Sequence, residues 1–170
     1  MRLLLILRAE IFIGVGLFIT FNQAHTYATG VLALALFAFG YAVVSFLALM
    51  AKRQQVPILP TSLLIAVALA IGVATEVLAP NAGFWLAKLI AAWGITAGAI
   101  ELAQAFRAGL KTARGRDLLI SGGLSALFGV FFVAVPLAEL DTVGFFGAYL
   151  ILSAVHLGIA AASERKTIAG

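Results

Sequence analysis

A chain of 170 residues in which 64% are hydrophobic and 11% charged has too little polar surface to clothe a soluble domain of its size. Its formal charge of +4 raises nucleic-acid binding as a reading, but the basic residues stand between long apolar stretches, where anionic headgroups of a lipid bilayer attract them, so no nucleic-acid partner is expected. The lack of cysteine excludes disulfides, thiolate catalysis and cysteine-ligated metals.

A membrane-spanning helix needs about 20 mostly apolar residues, and the first such segment covers residues 3–22. Arg8 and Glu10 interrupt it too early for a signal peptide, so it is expected to be retained as a helix. Further segments follow at 27–50, at 58–78 with Pro57 and Pro60 bracketing its entry, and at 83–107, 117–136 and 141–162. The gaps around Asn22–His25, Ala79–Ala82 and Pro136–Asp141 are short, turn-rich and free of Lys and Arg. The alternate gaps and the two ends hold Arg2, Arg8, Lys52, Arg53, Arg107, Lys111, Arg114, Arg116, Arg165 and Lys166. Under the positive-inside rule this alternation predicts an all-α bundle of six spans with both termini in the cytoplasm, forming one membrane domain over 1–170. The setting expected for it is a cytoplasmic membrane crossed many times.

The pattern also repeats. Aromatic–glycine pairs occur at Phe39-Gly40, Trp93-Gly94 and Phe146-Gly147. Asn22, Pro80 and Pro136 end the odd segments in the same phase, each preceded by a glycine (Gly14, Gly72, Gly129) and followed two residues later by alanine. Arg53 and Arg107 stand at equal distances beyond their segment's glycine. The expected unit is a two-helix hairpin repeated over about 3–53, 58–110 and 116–166. Because each unit has two spans, successive units enter the membrane in the same sense, related by an axis along the membrane normal.

The segment Arg116 to Lys166, with Gly122-Gly123-Leu124-Ser125-Ala126-Leu127-Phe128-Gly129, then Pro136, then Phe146-Gly147-Ala148-Tyr149, resembles the repeat of the HdeD-like family of small bacterial membrane proteins. Ala92-Trp93-Gly94 through Gly98 to Glu101 is similar to that family's second-helix pattern. Residues 1–78 match more loosely, and Asn22 stands where a proline is usual. The resemblance implies a six-span inner-membrane protein linked to acid resistance, without enzymatic activity.

In lipid, helices gain nothing by burying apolar surface on each other, so close approach through small residues holds a bundle together. Expected ladders are Gly94 with Gly98, Ser121 with Ser125 and Gly129, Ala154 with Gly158 and Ala162, and Ala68 with Gly72. Their ordinary use is intrachain packing, with homo-oligomer formation the alternative. Tyr27, Phe84 and Trp85 read as interfacial anchors.

The ionisable groups inside the spans are the one chemical clue, because they are costly in hydrocarbon unless they face a partner or a wet cavity. Glu10, Glu101 and His156 fall at a common depth of roughly 10 Å from the basic end, counted at ~1.5 Å per residue. They form a candidate proton-linked layer, against which stands a purely structural set of hydrogen bonds with Arg8 or Arg107 snorkelling to a carboxylate. On helical spacing Glu101 shares the face of Gly94 and Gly98, whereas His156 lies about 200° from the Ala154–Gly158 ladder and is expected to face away from it. Toward the other end Glu76 and Lys88 are expected to neutralise each other. His25 and His156 lie near opposite ends and cannot share a haem iron, Lys88 is too near the edge for a retinal Schiff base, and no metal or cofactor is expected. Three readings stand: a non-enzymatic HdeD-like protein of acid or envelope stress, a small proton-coupled transporter or channel, and an accessory subunit of a larger membrane complex.

Overall fold

The computed structural model describes residues 2–51 and 56–168; Lys52 and Arg53 of the charge pattern lie outside them, as do the side chains of Arg2, Arg165 and Lys166. The described residues form α1 (Arg2–Phe21), α2 (Tyr27–Ala51), α3 (Ile58–Leu78), α4 (Ala82–Ala108), α5 (Ala113–Ala134) and α6 (Glu139–Ile168), with no strand among them. A single 3-10 turn, Ala79–Asn81, joins α3 to α4. By length and hydropathy five helical stretches suffice to cross a membrane, the longest, Ile58–Ala108, being α3, the turn and α4 together. That stretch doubles back at the turn: Thr61 and Gln104 line one cavity, whereas a straight helix would hold them about 65 Å apart.

The ends of the helices are set by local chemistry. Gly109 takes φ 85°, a conformation other residues rarely adopt, and its N–H bonds back to the carbonyl of Ala105, ending α4. Three residues on, the Thr112 hydroxyl accepts from the Gly115 N–H at 2.9 Å and caps α5. This basic connection is therefore only four residues long, and α5 starts before the charged residues, not after them as hydropathy suggests. At the opposite end the Glu139 carboxylate, in the first turn of α6, accepts the backbone N–H of Tyr27 at the start of α2. That contact uses an amide which the helix itself leaves unpaired and places a negative charge at the positive end of its dipole.

α2, α4 and α6 touch one another along the centre, and the other helices fill the gaps: α1 against α2 and α6, α3 against α2 and α4, α5 against α4 and α6. Apolar residues occupy both the interior and the outer surface. Phe37, Leu34 and Val143 are buried, while Phe46, Leu127, Val133 and Ile159 point outward. The small polar side chains do the reverse, with Ser45, Thr61, Ser125 and Ser153 all inside. An apolar exterior around a partly polar interior fits a helical membrane bundle, whose solvent is hydrocarbon.

Small residues decide the closest approach. A Cβ on Gly94 would come within 2.7 Å of the Ser125 carbonyl, and one on Gly98 within 2.6 Å of the Ala126 amide; Gly122 and Gly129 meet α4 in the same way. On α1 it is Gly16, against Ile151 and Gly147, that packs, whereas the expected marker Gly14 faces open space. Of the Ala154–Gly158 ladder, Ala154 is buried in the core, whereas nothing lies within 4 Å of a Cβ at Gly158, which lines an outward groove between α1 and α6. The aromatic–glycine marker of α2 also shifts. Phe39 is exposed and covers Gly72, and it is Phe37 that meets Trp93 and Phe146 at the centre, with ring centroids 5.1 and 5.9 Å apart.

Candidate functional site

At the end of the bundle where the basic residues of the connections gather, two chambers lie in series along the axis. The outer one is lined by Leu4, Arg8, Thr61, Glu101, Asp117 and His156, among others, with a cavity volume of about 50 Å³. The inner one is about 20 Å³ and is reached past Arg8, Glu101, Ser121 and His156. Its far wall is aromatic. Phe12, Phe37, Tyr41 and Trp93 pack edge to face with centroids 4.8 to 6.2 Å apart, within the range in which such pairs attract.

Arg8 reaches inward from α1 and is only 8% exposed. Its Nε donates to the Ser45 hydroxyl at 3.2 Å, and its guanidinium carbon lies 4.6 Å from the centre of the Tyr41 ring, a cation–π arrangement. Its Nη2 has no hydrogen-bond partner among the described residues, and the same is true of the Tyr41 hydroxyl. From α4 the Glu101 carboxylate accepts the hydroxyl proton of Ser121 on α5. Deeper in, Trp93 Nε1 donates to the Tyr149 oxygen at 3.3 Å, and that hydroxyl and the Ser125 hydroxyl share a bond of 3.0 Å. From α6, His156 Nε2 stands 3.1 Å from the backbone carbonyl of Asp117. Five helices thus direct polar groups into a space of a few waters' size.

Of the layer expected from depth, Glu101 and His156 line both chambers, but Glu10 does not. It is exposed and lines two outward grooves, one between α1 and α6 and one beside α2. Arg8 and Glu10 are two residues apart, about 200° round the helix, so a helix that turns one inward turns the other out. His156 faces inward too: it lines both chambers and lies two residues, about 200° round the helix, from the outward-facing Gly158. Glu76 and Lys88 are not brought together as an ion pair. The Lys88 ammonium lies 2.9 Å from the centre of the Phe84 ring and 5.1 Å from that of Trp85, while Glu76 lines grooves beside α2. A cation–π contact with side chains on its own helix competes with a carboxylate across the turn. No group of His, Asp and Glu among the described residues is arranged to hold a metal ion.

Tyr41 and Tyr149 are members of the site that sequence reasoning did not single out, and Arg8, expected at most to snorkel to a carboxylate, instead bonds Ser45. One signal for Arg8 was present: it follows five apolar residues, Leu3 to Leu7, and so lies more than a turn inside the helix. Comparison with family models, curated proteins and solved structures returns no match to this chain. The arrangement itself defines the class: a helical bundle fit for a membrane, with a small cavity carrying ionisable groups near one end.

Proposed function

We propose that the chain is a non-enzymatic protein of the bacterial cytoplasmic membrane, HdeD-like in its repeated two-helix units, serving acid or envelope stress tolerance. It crosses the bilayer six times with both termini inside. Three features support the architecture: the alternation of basic and charge-free connections, the reversal at Ala79–Asn81, and a contact pattern in which each odd helix sits between two even ones. The observation that carries the functional reading is the cluster of Arg8, Glu101 and His156 inside an otherwise apolar bundle, next to its basic end. Ionisable groups kept in such a place are costly, and exchange of protons with the cytoplasm is the use that this location suits.

The test is acid survival of cells that lack the protein and are complemented with wild type or with Glu101→Gln, which keeps the shape of the side chain and removes its charge. Lower survival with the variant, at equal membrane abundance, is the expected result. Equal survival leaves the cluster a structural set of hydrogen bonds.

A proton-coupled transporter is favoured by the chamber itself, and opposed by the aromatic wall that closes it around Phe37 and Trp93. Proton flux into proteoliposomes distinguishes it. An accessory role in a larger complex draws on Glu10, which faces outward among Ile6, Ala9, Ile13 and Gly158. A partner helix carrying a donor would satisfy that carboxylate, and the mass of the particle purified in mild detergent reads this directly.

A further inference from the structure

The inner chamber contains a charge without a counterpart in bonding contact. A buried guanidinium presents five N–H donors, and leaving one of them unsatisfied costs more than leaving a neutral group so. Arg8 uses Nε on Ser45 and its face on Tyr41, yet Nη2 has no partner. The Tyr41 hydroxyl, on a residue only 2% exposed, has none either. Both side chains line the same cavity of about 20 Å³, which exceeds the ~10–15 Å³ that one water-sized occupant requires. An occupant there must accept hydrogen bonds from two donors, one of them cationic.

The charges that face this space decide what the occupant is. α1 supplies Arg8 and α2 supplies Tyr41; α3 contributes Thr61 and Leu64 at the outer chamber, and no ionisable group. α4 supplies Glu101, and α6 supplies Tyr149 and His156. Of the charged groups of α5, Arg114 and Asp117 line the outer chamber only, and Arg116 lines neither chamber. Inside, the one full negative charge available to balance Arg8 is Glu101, whose hydrogen bond comes from Ser121. When Glu101 takes up a proton, Arg8 keeps its charge, because a guanidinium does not deprotonate in proteins. The chamber is then a cationic hole of atomic size that offers unpaired donors.

We propose that this chamber is a binding site for a small inorganic anion of the halide or nitrate class, held by Arg8 and Tyr41, and that the anion enters together with a proton bound by Glu101. The anion and the ionised carboxylate compete for the same guanidinium, so each proton taken up by Glu101 makes room for one anion. This deepens the acid-stress reading: acid on the cytoplasmic side would load the site with proton and anion together.

The experiment uses the full chain in detergent, titrated with potassium chloride against a potassium gluconate background at pH 7.5 and at pH 5, with binding followed by calorimetry and by the rise in melting temperature. With one proton linked to each anion, wild-type affinity for chloride should rise toward acid, by at most about tenfold per pH unit. Glu101→Gln should bind chloride with the same affinity at both pH values, close to that of the wild type in acid. Tyr41→Phe keeps the ring beneath Arg8 and removes one donor, so its affinity should fall about fivefold with the pH dependence retained. Arg8→Gln should abolish binding, and if that variant does not fold, the other two still decide. Absence of saturable chloride binding by wild type at either pH, the mark of a chamber that holds water alone, overturns the proposal. So does a pH dependence that persists in Glu101→Gln. Acid survival is scored separately: a Glu101→Gln variant that binds chloride as described but survives acid normally removes the stress role and leaves the site.

Discussion

Gly98 shows most clearly what single residues contribute here. Its hydrogen stands where any larger side chain would meet the α5 backbone, at Ala126 and Gly122, and a backbone cannot step aside as a flexible side chain can. Gly98→Ala should therefore push α4 and α5 apart and lower stability by about 1–3 kcal/mol, the usual cost of overpacking, measured as a shift in thermal unfolding in detergent. Gly123 is the control. It lies on α5 with nothing within 4 Å of a new Cβ, so Gly123→Ala should be neutral or stabilising by up to about 1 kcal/mol through helix propensity alone. Equal losses in both would mean that close packing is not what makes Gly98 matter. Arg8 illustrates the opposite case, a large residue whose placement is decided by what surrounds it. Its stem and guanidinium replace water with a hydroxyl, an aromatic face and a cavity.

Among the elements, α5 depends most on a single cap. Only four residues separate its N-terminus from the end of α4, and the Thr112 hydroxyl is the side chain that answers one of its free amides. Thr112→Ala should cost about 1 kcal/mol, whereas Thr112→Ser should restore most of it; faster hydrogen exchange at the Gly115 amide in the alanine variant alone is the local readout. The cap also bears on the site, because Asp117 and Ser121 lie one and two turns further along α5 and meet His156 and Glu101 there. A frayed first turn loosens the carbonyl on which His156 rests. At the other end the contact between Glu139 and Tyr27 links the start of α6 to the start of α2, two of the three central helices, so the centre of the bundle is tied where the chamber does not reach.

On the scale of the whole molecule, the direction of every helix follows from the first. If the N-terminal end of α1 is cytoplasmic, the connection at Gly109–Thr112 shares that side, and those at Asn22–Thr26, Ala79–Asn81 and Val135–Ala138 lie across the membrane. The chain has no cysteine of its own to confuse labelling. In intact spheroplasts His25→Cys, Asn81→Cys and Pro136→Cys should react with an impermeant maleimide, whereas Lys111→Cys should react only after the membrane is broken. A reversed result at one of them alone overturns the six-span arrangement. Reversal at all four keeps six spans but inverts them, and the proton exchange proposed for Glu101 would then draw on the other compartment.

The helices themselves were written in the sequence, because continuous apolar runs of about 20 residues suit a helix that pairs its own backbone and lack the alternation of a barrel strand, and the punctuation by Gly, Pro and Asn marks where each run must end. The spacing of small residues on α4 and α5 was legible too, since a glycine or serine every fourth position fixes a face without reference to any partner. Glu101 could be placed on that face for the same reason. What hydropathy leaves open is azimuth. A helix that is apolar all round does not say which stripe turns inward, so equal depth put Glu10 with Glu101 and His156 when α1 in fact turns Arg8 in and Glu10 out. The same ambiguity made Gly158 look like a packing position and left Phe39, not Phe37, as the aromatic marker of α2. Only the tertiary structure decided these, because the rotation of each helix is set by the shapes of its neighbours: Gly16 against Gly147, Phe39 over Gly72, and Phe37 closing on Trp93.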